Sequence, residues 1–400
     1  MTPTPSHGLP TVVQFGAGAI GRGFVGQLWA DAGYEVVFVD VDPALVDALN
    51  ARRAYPLRLL APDGETMDRQ VGPVRAVDVR DRAAVAAELA RCAFACSAAG
   101  VNAFQSLGPT IAAGIVERVR VGNALPLNVL CCENQARAGA LLRAAVAPLV
   151  TQSARTLAYF ENDVAFVDAS VGRMVPPATA ALIAEDRLLI AAEPYAELPI
   201  DGAAWIGPVP PVPGLLPKTN FDGYTARKRF THNGGHAVLA YHGYRAGFEY
   251  IHQAADDPRL TDELAGFWGE TGRALIAEYG FDPADQHAHE TDLLARFRNR
   301  ALGDTITRVA RDPIRKLRAD DRLAGAALFC LRVHPAESPE FCARALAAAL
   351  RYDYPGDPAA LEVQGAIAAA GVSRAVAVFC GIPNDSALLP LVVAAYEALG

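Results

Sequence analysis

No two cysteines in this chain stand in a C-x-x-C spacing, and their number, seven, is odd (Cys92, Cys96, Cys131, Cys132, Cys330, Cys342 and Cys380). Neither a disulfide framework nor a cysteine zinc site is expected, and a reducing, cytoplasmic setting fits. A surplus of base is missing too. Lys and Arg total 36 against 44 Asp and Glu, a formal net charge of −8. Nucleic acid is therefore not an expected partner, because phosphate-backbone binding needs a basic surface. The opening MTPTPSHGLP lacks a basic n-region and an apolar h-region and reads as a short flexible lead, not a signal peptide. Nor is there an unbroken apolar run of membrane length. Residues 93–116 carry no charge, but Ser97, Asn102, Gln105, Ser106 and Pro109 interrupt them, which predicts a soluble strand–loop–helix and no membrane partner. No internal repeat is visible.

What is present is the composition of a packed protein: 52% hydrophobic and 20% charged residues over 400, enough for two domains. The first half alternates short apolar runs with amphipathic stretches. Strands are predicted at 11–15 (TVVQF), 35–40 (EVVFVD), 94–100, 127–132 and near 166–171. Helices are predicted at 24–32, ended near Gly33, and from Pro43, with Asp42 as N-cap. This alternation implies a parallel sheet covered by helices. Segment 201–219 is rich in Pro and Gly and reads as a connector. Helical patterns follow at 224–250, 259–280, 286–302, 321–332, 338–351, 358–370 and 386–399. The expected fold is α/β: a Rossmann-type domain over 1–200 and a mostly α-helical domain over 201–400. The default small-molecule site is the cleft between them.

Gly16-Ala17-Gly18-Ala19-Ile20-Gly21 joins the first strand to the first helix. G-x-G-x-x-G alone is a weak signal. Here a strand precedes it, a helix follows it, and Asp40 ends the second strand, 19 residues past Gly21. Gly16 permits the turn, Gly18 lets a pyrophosphate approach the backbone, and Gly21 lets helix and strand pack closely. The pyrophosphate would sit at the helix N-terminus, with Arg22 in reach. Asp40 would accept from the ribose hydroxyls and repel a 2′-phosphate, which favours NAD. The competing readings are a glycine turn that binds nothing and a flavin site.

A second segment, ARKRFTHNGGH, places Lys228, Asn233 and His236 within nine residues. At 100° per residue Asn233 lies about 140°, and His236 about 80°, around a helix from Lys228. Gly234 and Gly235 suggest that something approaches the backbone there. Alcohol oxidation needs a base for the hydroxyl proton and a donor to the alkoxide. A lysine serves only with a pKa well below about 10.4, the direction in which burial and nearby cations push. The bland alternatives stay open. Lys228 can be a solvated helix lysine, His236 an interhelical histidine, or His232 and His236, at i and i+4, zinc ligands. No H-E-x-x-H supports the last. The stretch 285–290 (DQHAHE) reads as a helix start or a metal site.

With Lys228-x4-Asn233-x2-His236 the sequence resembles the polyol-specific long-chain dehydrogenases. FGAGAIGRGFVGQLWADAGYEVVFVDVD, CCENQAR (131–137), FVDASVGRMVPP (166–177), KRFTHNGGHAVLAYHGY (228–244) and DPIRKLRADDRL (312–323) look most like the branch that acts on mannitol 1-phosphate. The resemblance implies NAD-dependent, metal-independent oxidation of a sugar alcohol, mannitol 1-phosphate to fructose 6-phosphate and back. It implies Lys228 as general base, Asn233 in the oxyanion hole and His236 holding the substrate hydroxyl or the lysine. Asp168 would lie near the reacting oxygen, Asn134 at the nicotinamide end, and Ala98, Ala99 and Gly100 along the cofactor. The family signature has Val-Asp-Arg where this chain has Val171-Gly172-Arg173, which would free Arg173 to bind substrate. Arg315 and Lys316, in a basic cluster with Arg318 and Arg322, are the candidate phosphate anchors. Their bland alternative is a helix end that favours cations. A polyol or polyol phosphate is the expected small-molecule partner, and the protein is expected as a monomer or small homo-oligomer.

Overall fold

A computed structural model describes residues 8–400, so the first seven residues of the expected lead lie outside the described residues. These fall into two units. One runs up to Phe221 without Pro62–Gly64; the other comprises Pro62–Gly64 and Asp222–Gly400.

In the first unit the strands are β1 (Thr11–Phe15), β2 (Glu35–Asp40), β3 (Tyr55–Leu60), β4 (Thr66–Val71), β5 (Val74–Asp78), β6 (Phe94–Ser97), β7 (Leu127–Cys131), β8 (Val164–Asp168), β9 (Ile190–Ala192), β10 (Leu198–Asp201) and β11 (Leu215–Lys218). Six of them form one parallel sheet in the order β5-β2-β1-β6-β7-β8. Parallel strands bury both faces, and their sequences read as near-continuous apolar runs. Alternate residues serve opposite cores: Val12, Val36 and Phe38 one, Val13, Val37 and Val39 the other. Strand order reverses between β1 and β6, so the loops after these strands border a topological switch point, where ligands of open α/β sheets bind.

The expected boundary at 200 moves to Phe221. Segment 201–219 is more than a connector: it contributes β11, which pairs in parallel with β10 (Leu198↔Leu215) and so belongs to the first unit. A second small sheet, β4-β3-β9, was not expected. Residues 93–116 fold as β6, a short turn and most of the helix Phe104–Arg120. No helix among the described residues is long and apolar enough to cross a membrane.

The second unit is helical, with the longest helix at Pro258–Tyr279. Its N-terminal helices meet the expected 224–250 pattern with one interruption. Phe221–Arg227 and Gly234–Arg245 are joined by a π-helical turn over Lys228–Asn233.

Candidate active site

The glycine turn has the geometry that its spacing predicts. Gly16 is at φ +86°, where a side chain is strained, and an added Cβ would lie 2.8 Å from the Ala98 carbonyl oxygen. A Cβ on Gly21 would meet the Gly16 carbonyl oxygen at 2.0 Å, so the helix packs directly on the turn. Gly18 differs: nothing lies within 4 Å of its Cβ position, and the residue is exposed. The turn is thus closed at both ends and open in the middle, which fits a pyrophosphate against the backbone. Asp40 braces it, accepting the Ala17 N–H at 2.7 Å and the Asp42 N–H at 3.0 Å. Arg22 is buried beneath the turn and donates to the Ala17 carbonyl at 2.6 Å and the Leu188 carbonyl at 2.5 Å. The guanidinium expected to touch the pyrophosphate is therefore part of the turn's support. Just past it Gly26 N–H bonds back to Gly21 O, an i→i+5 link that makes Gly21–Val25 a π-turn.

Beyond β6, Ala99 and Gly100 are exposed, and Ala98 touches Gly16. Sequence reasoning missed what orders this loop. Glu133 is buried, and the Ser97 hydroxyl donates to it at 2.5 Å. Burial pushes its carboxyl above the usual range against the opposing pull of Ser97 and the amides of Ala99 and Gly100. Its neighbour Asn134 is exposed. Asp168, at the end of β8, accepts the Gly139 N–H at 2.7 Å, at the start of the helix Ala138–Val146.

Lys228, Asn233 and His236 are each half-buried on the π-turn and the helix that follows it. Gly234 N–H reaches back to Arg229 O. Such i→i+5 turns are wider than α-turns and recur at functional sites. The wider turn alters the α-helical angles between Lys228 and Asn233. Gly234 and Gly235 do admit a close approach, but from aromatic side chains. A Cβ at 234 would lie 2.8 Å from the Phe267 ring, and one at 235 would lie 2.6 Å from Trp268 Nε1. Trp268 donates to the Thr231 carbonyl at 2.8 Å. His236 stacks on Phe297 with ring centroids 4.8 Å apart. His232, 6.3 Å from His236, is buried, and its imidazole is held well below its usual pKa by burial first, then by Arg296, His236, Lys228 and His289. The His232 ring and the Lys228 side chain thus share one neighbourhood.

The 285–290 stretch braces this segment. Arg227 donates to the Asp285 carboxylate and carbonyl, both at 2.8 Å, and Gln286 Nε2 donates to Thr231 Oγ1 at 3.2 Å and Glu290 at 2.7 Å. Among the described residues no three His, Cys, Asp or Glu side chains gather as a metal would require.

The remaining expected residues make other contacts. Arg173 is buried, donating at 2.6 Å to both the Glu193 carbonyl and Gln27 Oε1, and burial brings its pKa down to about 10. Gly172 faces Tyr195: a Cβ there would meet the ring at 3.3 Å. Arg315 is half-exposed and pairs with Asp312 at 3.2 Å, while Arg318 pairs with Asp320 and Arg322 with Asp321. The three arginines of the basic cluster are thereby paired with carboxylates. Lys316 is buried and donates to the Arg311 carbonyl, and burial, then Arg315 and Arg322, push its pKa down to about 7. Neither Arg173 nor Lys316 enters the functional reading below.

Lys316 has a consequence for stability. Its folded pKa lies below the unfolded value near 10.4, so between about pH 7 and pH 10 the unfolded chain binds more protons. Its contribution therefore falls as pH drops across that window. Lys316→Met is expected to raise the melting temperature more at pH 7 than at pH 10. Calorimetry at the two pH values checks this, and a pH-independent difference would refute it.

Residues 10–213 match the mannitol dehydrogenase Rossmann domain, and residues 220–399 the mannitol dehydrogenase C-terminal domain. The chain is 40% identical over 380 residues to mannitol-1-phosphate 5-dehydrogenase of Brevibacillus brevis, covering 95% of this chain and 96% of that one. It is 34% identical over 389 residues to the protein of the same name from Bacillus licheniformis, covering 96% and 99%. Among solved structures, Pseudomonas fluorescens mannitol 2-dehydrogenase, in a ternary complex with NAD and D-mannitol, matches with a TM-score of 0.76 at 19% identity, over 98% of this chain and 92% of that one. D-sorbitol dehydrogenase in substrate-free form gives 0.80 at 18%, over 98% and 93%. At these identities the structural likeness is one of fold.

Proposed function

Because the chain belongs to the mannitol dehydrogenase family, we propose that it is a metal-independent oxidoreductase acting on the CH–OH group of a sugar alcohol with NAD, and that its substrate pair is mannitol 1-phosphate and fructose 6-phosphate. The observation that carries the reading is Lys228, Asn233 and His236 on a widened helical turn and the helix that continues it, half-buried and braced from two helices, Pro258–Tyr279 through Trp268 and Pro283–Phe297 through Gln286 and Phe297. The substrate assignment is supported by the relatives of that name at 34–40% identity. A nicotinamide dinucleotide, when bound, supplies the hydride acceptor for oxidation and the donor for reduction. The open middle of the glycine turn takes its pyrophosphate, and Asp40 its ribose hydroxyls. Lys228 Nζ removes the proton from the reacting hydroxyl and returns it in reduction. The Asn233 side-chain N–H donates to the oxygen as it gains negative charge. His236 holds the substrate hydroxyl. Arg315, half-exposed, is the candidate contact for the phosphate, which must then compete with Asp312.

The test is a substrate panel followed by NADH absorbance. Fructose 6-phosphate should be reduced in preference to fructose and tagaturonate. Preference for an unphosphorylated substrate moves the assignment to another branch of the family. Dinucleotide binding with no turnover of any member overturns the enzyme reading in favour of a non-catalytic sensor.

Asp40→Ser is expected to narrow the preference for NAD over NADP at least about tenfold, since juxtaposing a carboxylate with a 2′-phosphate costs more than the roughly 1.4 kcal/mol that tenfold represents. It should also weaken NAD binding, because Ala17 loses its acceptor. The ratio of kcat/KM values for the two dinucleotides measures this, and an unchanged ratio removes Asp40 from the ribose site.

A further inference from the structure

One buried carboxylate beside the catalytic segment has no part in the reaction as derived so far. Asp304 Oδ2 lies 3.0 Å from His236 Nε2, an ion-pair distance but off the line of a well-aligned ring N–H donor. Both side chains are only about one-eighth exposed, at 12% and 13%. The same carboxylate accepts from Arg308 Nε at 2.7 Å. Burial acts to raise the Asp304 pKa, but His236 and Arg308 outweigh it and hold the carboxyl below the usual range. The group is therefore an anion with two partners. Its place is fixed by the backbone: the Asp304 carbonyl accepts the Ile251 N–H at 2.9 Å, and Thr305 caps the next helix through the Arg308 N–H. On the other side, Phe297 stacks flat on the imidazole, with an interplanar angle of 18°. The ring is clamped on a face and on an edge.

We infer that Asp304 is a positioning residue. By occupying the Nε2 edge of His236 it fixes the orientation of the ring and keeps the proton on Nε2, so that Nδ1 is the nitrogen offered to substrate. Which imidazole nitrogen carries the proton is set by the partner of the other, and such partners commonly matter about 10- to 100-fold to activity. Asp304 acts through His236 and not on the substrate. Arg308 balances the carboxylate's charge, so that removing Asp304 also releases a cation next to the ring. This inference rests on the proposed role of His236, and its test separates the two.

The first readout needs no cofactor: ring ¹⁵N shifts of His236 in the full-length protein, assigned by comparison with His236→Ala. Protonation at Nε2 in the wild type is expected, and protonation at Nδ1 overturns the inference whether or not Asp304→Asn folds. Asp304→Asn is close in shape and is expected to shift the tautomer population. The second readout is a cycle of kcat/KM for Asp304→Asn, His236→Ala and the double variant. The single Asp304→Asn variant should lose about 10- to 100-fold with NADH binding retained by fluorescence titration. In the His236→Ala background it should lose nothing further. Additive losses assign Asp304 to the scaffold and overturn the inference. If His236→Ala retains full turnover while Nε2 is protonated next to Asp304, the proposed role of His236 fails and the geometric part stands.

Discussion

Replacing Lys228 by alanine is expected to lower kcat for polyol oxidation about 10²- to 10⁴-fold, the usual contribution of a positioned general base. The dinucleotide should still bind, because the contacts proposed for it lie on the glycine turn and Asp40, away from Lys228 in the sequence. The effect should fall on kcat and kcat/KM together, since the lysine is asked to act on a proton that moves only during reaction. It should not unfold the chain. The side chain is half-buried, and what holds the π-turn is the backbone and its packing: Gly234 N–H on Arg229 O, Trp268 on the Thr231 carbonyl, and Phe267 against Gly234. Stopped-flow NADH absorbance with fluorescence titration of the dinucleotide separates the steps. A variant that turns over within tenfold of the wild type excludes Lys228 as the base.

The second large effect is expected at the glycine turn, where two neighbouring glycines should fail in different ways. Gly21→Ala puts a Cβ 2.0 Å from the Gly16 carbonyl oxygen, a backbone atom that cannot swing aside. Overpacking of this kind costs about 1–3 kcal/mol, so the melting temperature should drop and dinucleotide binding should weaken with it. Gly18→Ala puts its Cβ in open space, so stability should be unchanged. Binding alone should suffer, because the methyl group occupies the position proposed for the pyrophosphate against the backbone. Thermal melts with and without NADH distinguish the two. Equal stability losses in both variants would contradict the division of labour.

Much of the first unit was legible in the sequence because buried parallel strands write themselves as apolar runs: TVVQF and EVVFVD match β1 and β2 residue for residue. Asp42-Pro43 gave the start of the next helix, whose N-cap accepts from Ala44 and Leu45. The β3–β4 hairpin was missed because TMDRQV is mostly polar and exposed, and β11 because its four residues sit amid prolines. The π-turns had no signature, since the sequence that forms one differs little from an α-helix. Gly234 and Gly235 were correctly read as sites of close approach, yet only packing reveals that Phe267 and Trp268 are what approaches. Charge was visible at Arg22, Arg173 and Lys316, but burial was not, and burial turned all three toward internal carbonyls. Glu133 and Asp304 were invisible for another reason. Each acts on residues distant in the chain, and no local pattern marks a carboxylate that will meet Ser97 or His236.

The most direct test of the central claim, that the ammonium at position 228 carries the proton, is chemical rescue of Lys228→Ala by small primary amines. Methylamine is expected to restore turnover in proportion to its unprotonated fraction, so that the rescued rate rises with pH at fixed total amine. A variant that binds dinucleotide and polyol as the wild type does, but regains no activity with any amine small enough to enter, would contradict it.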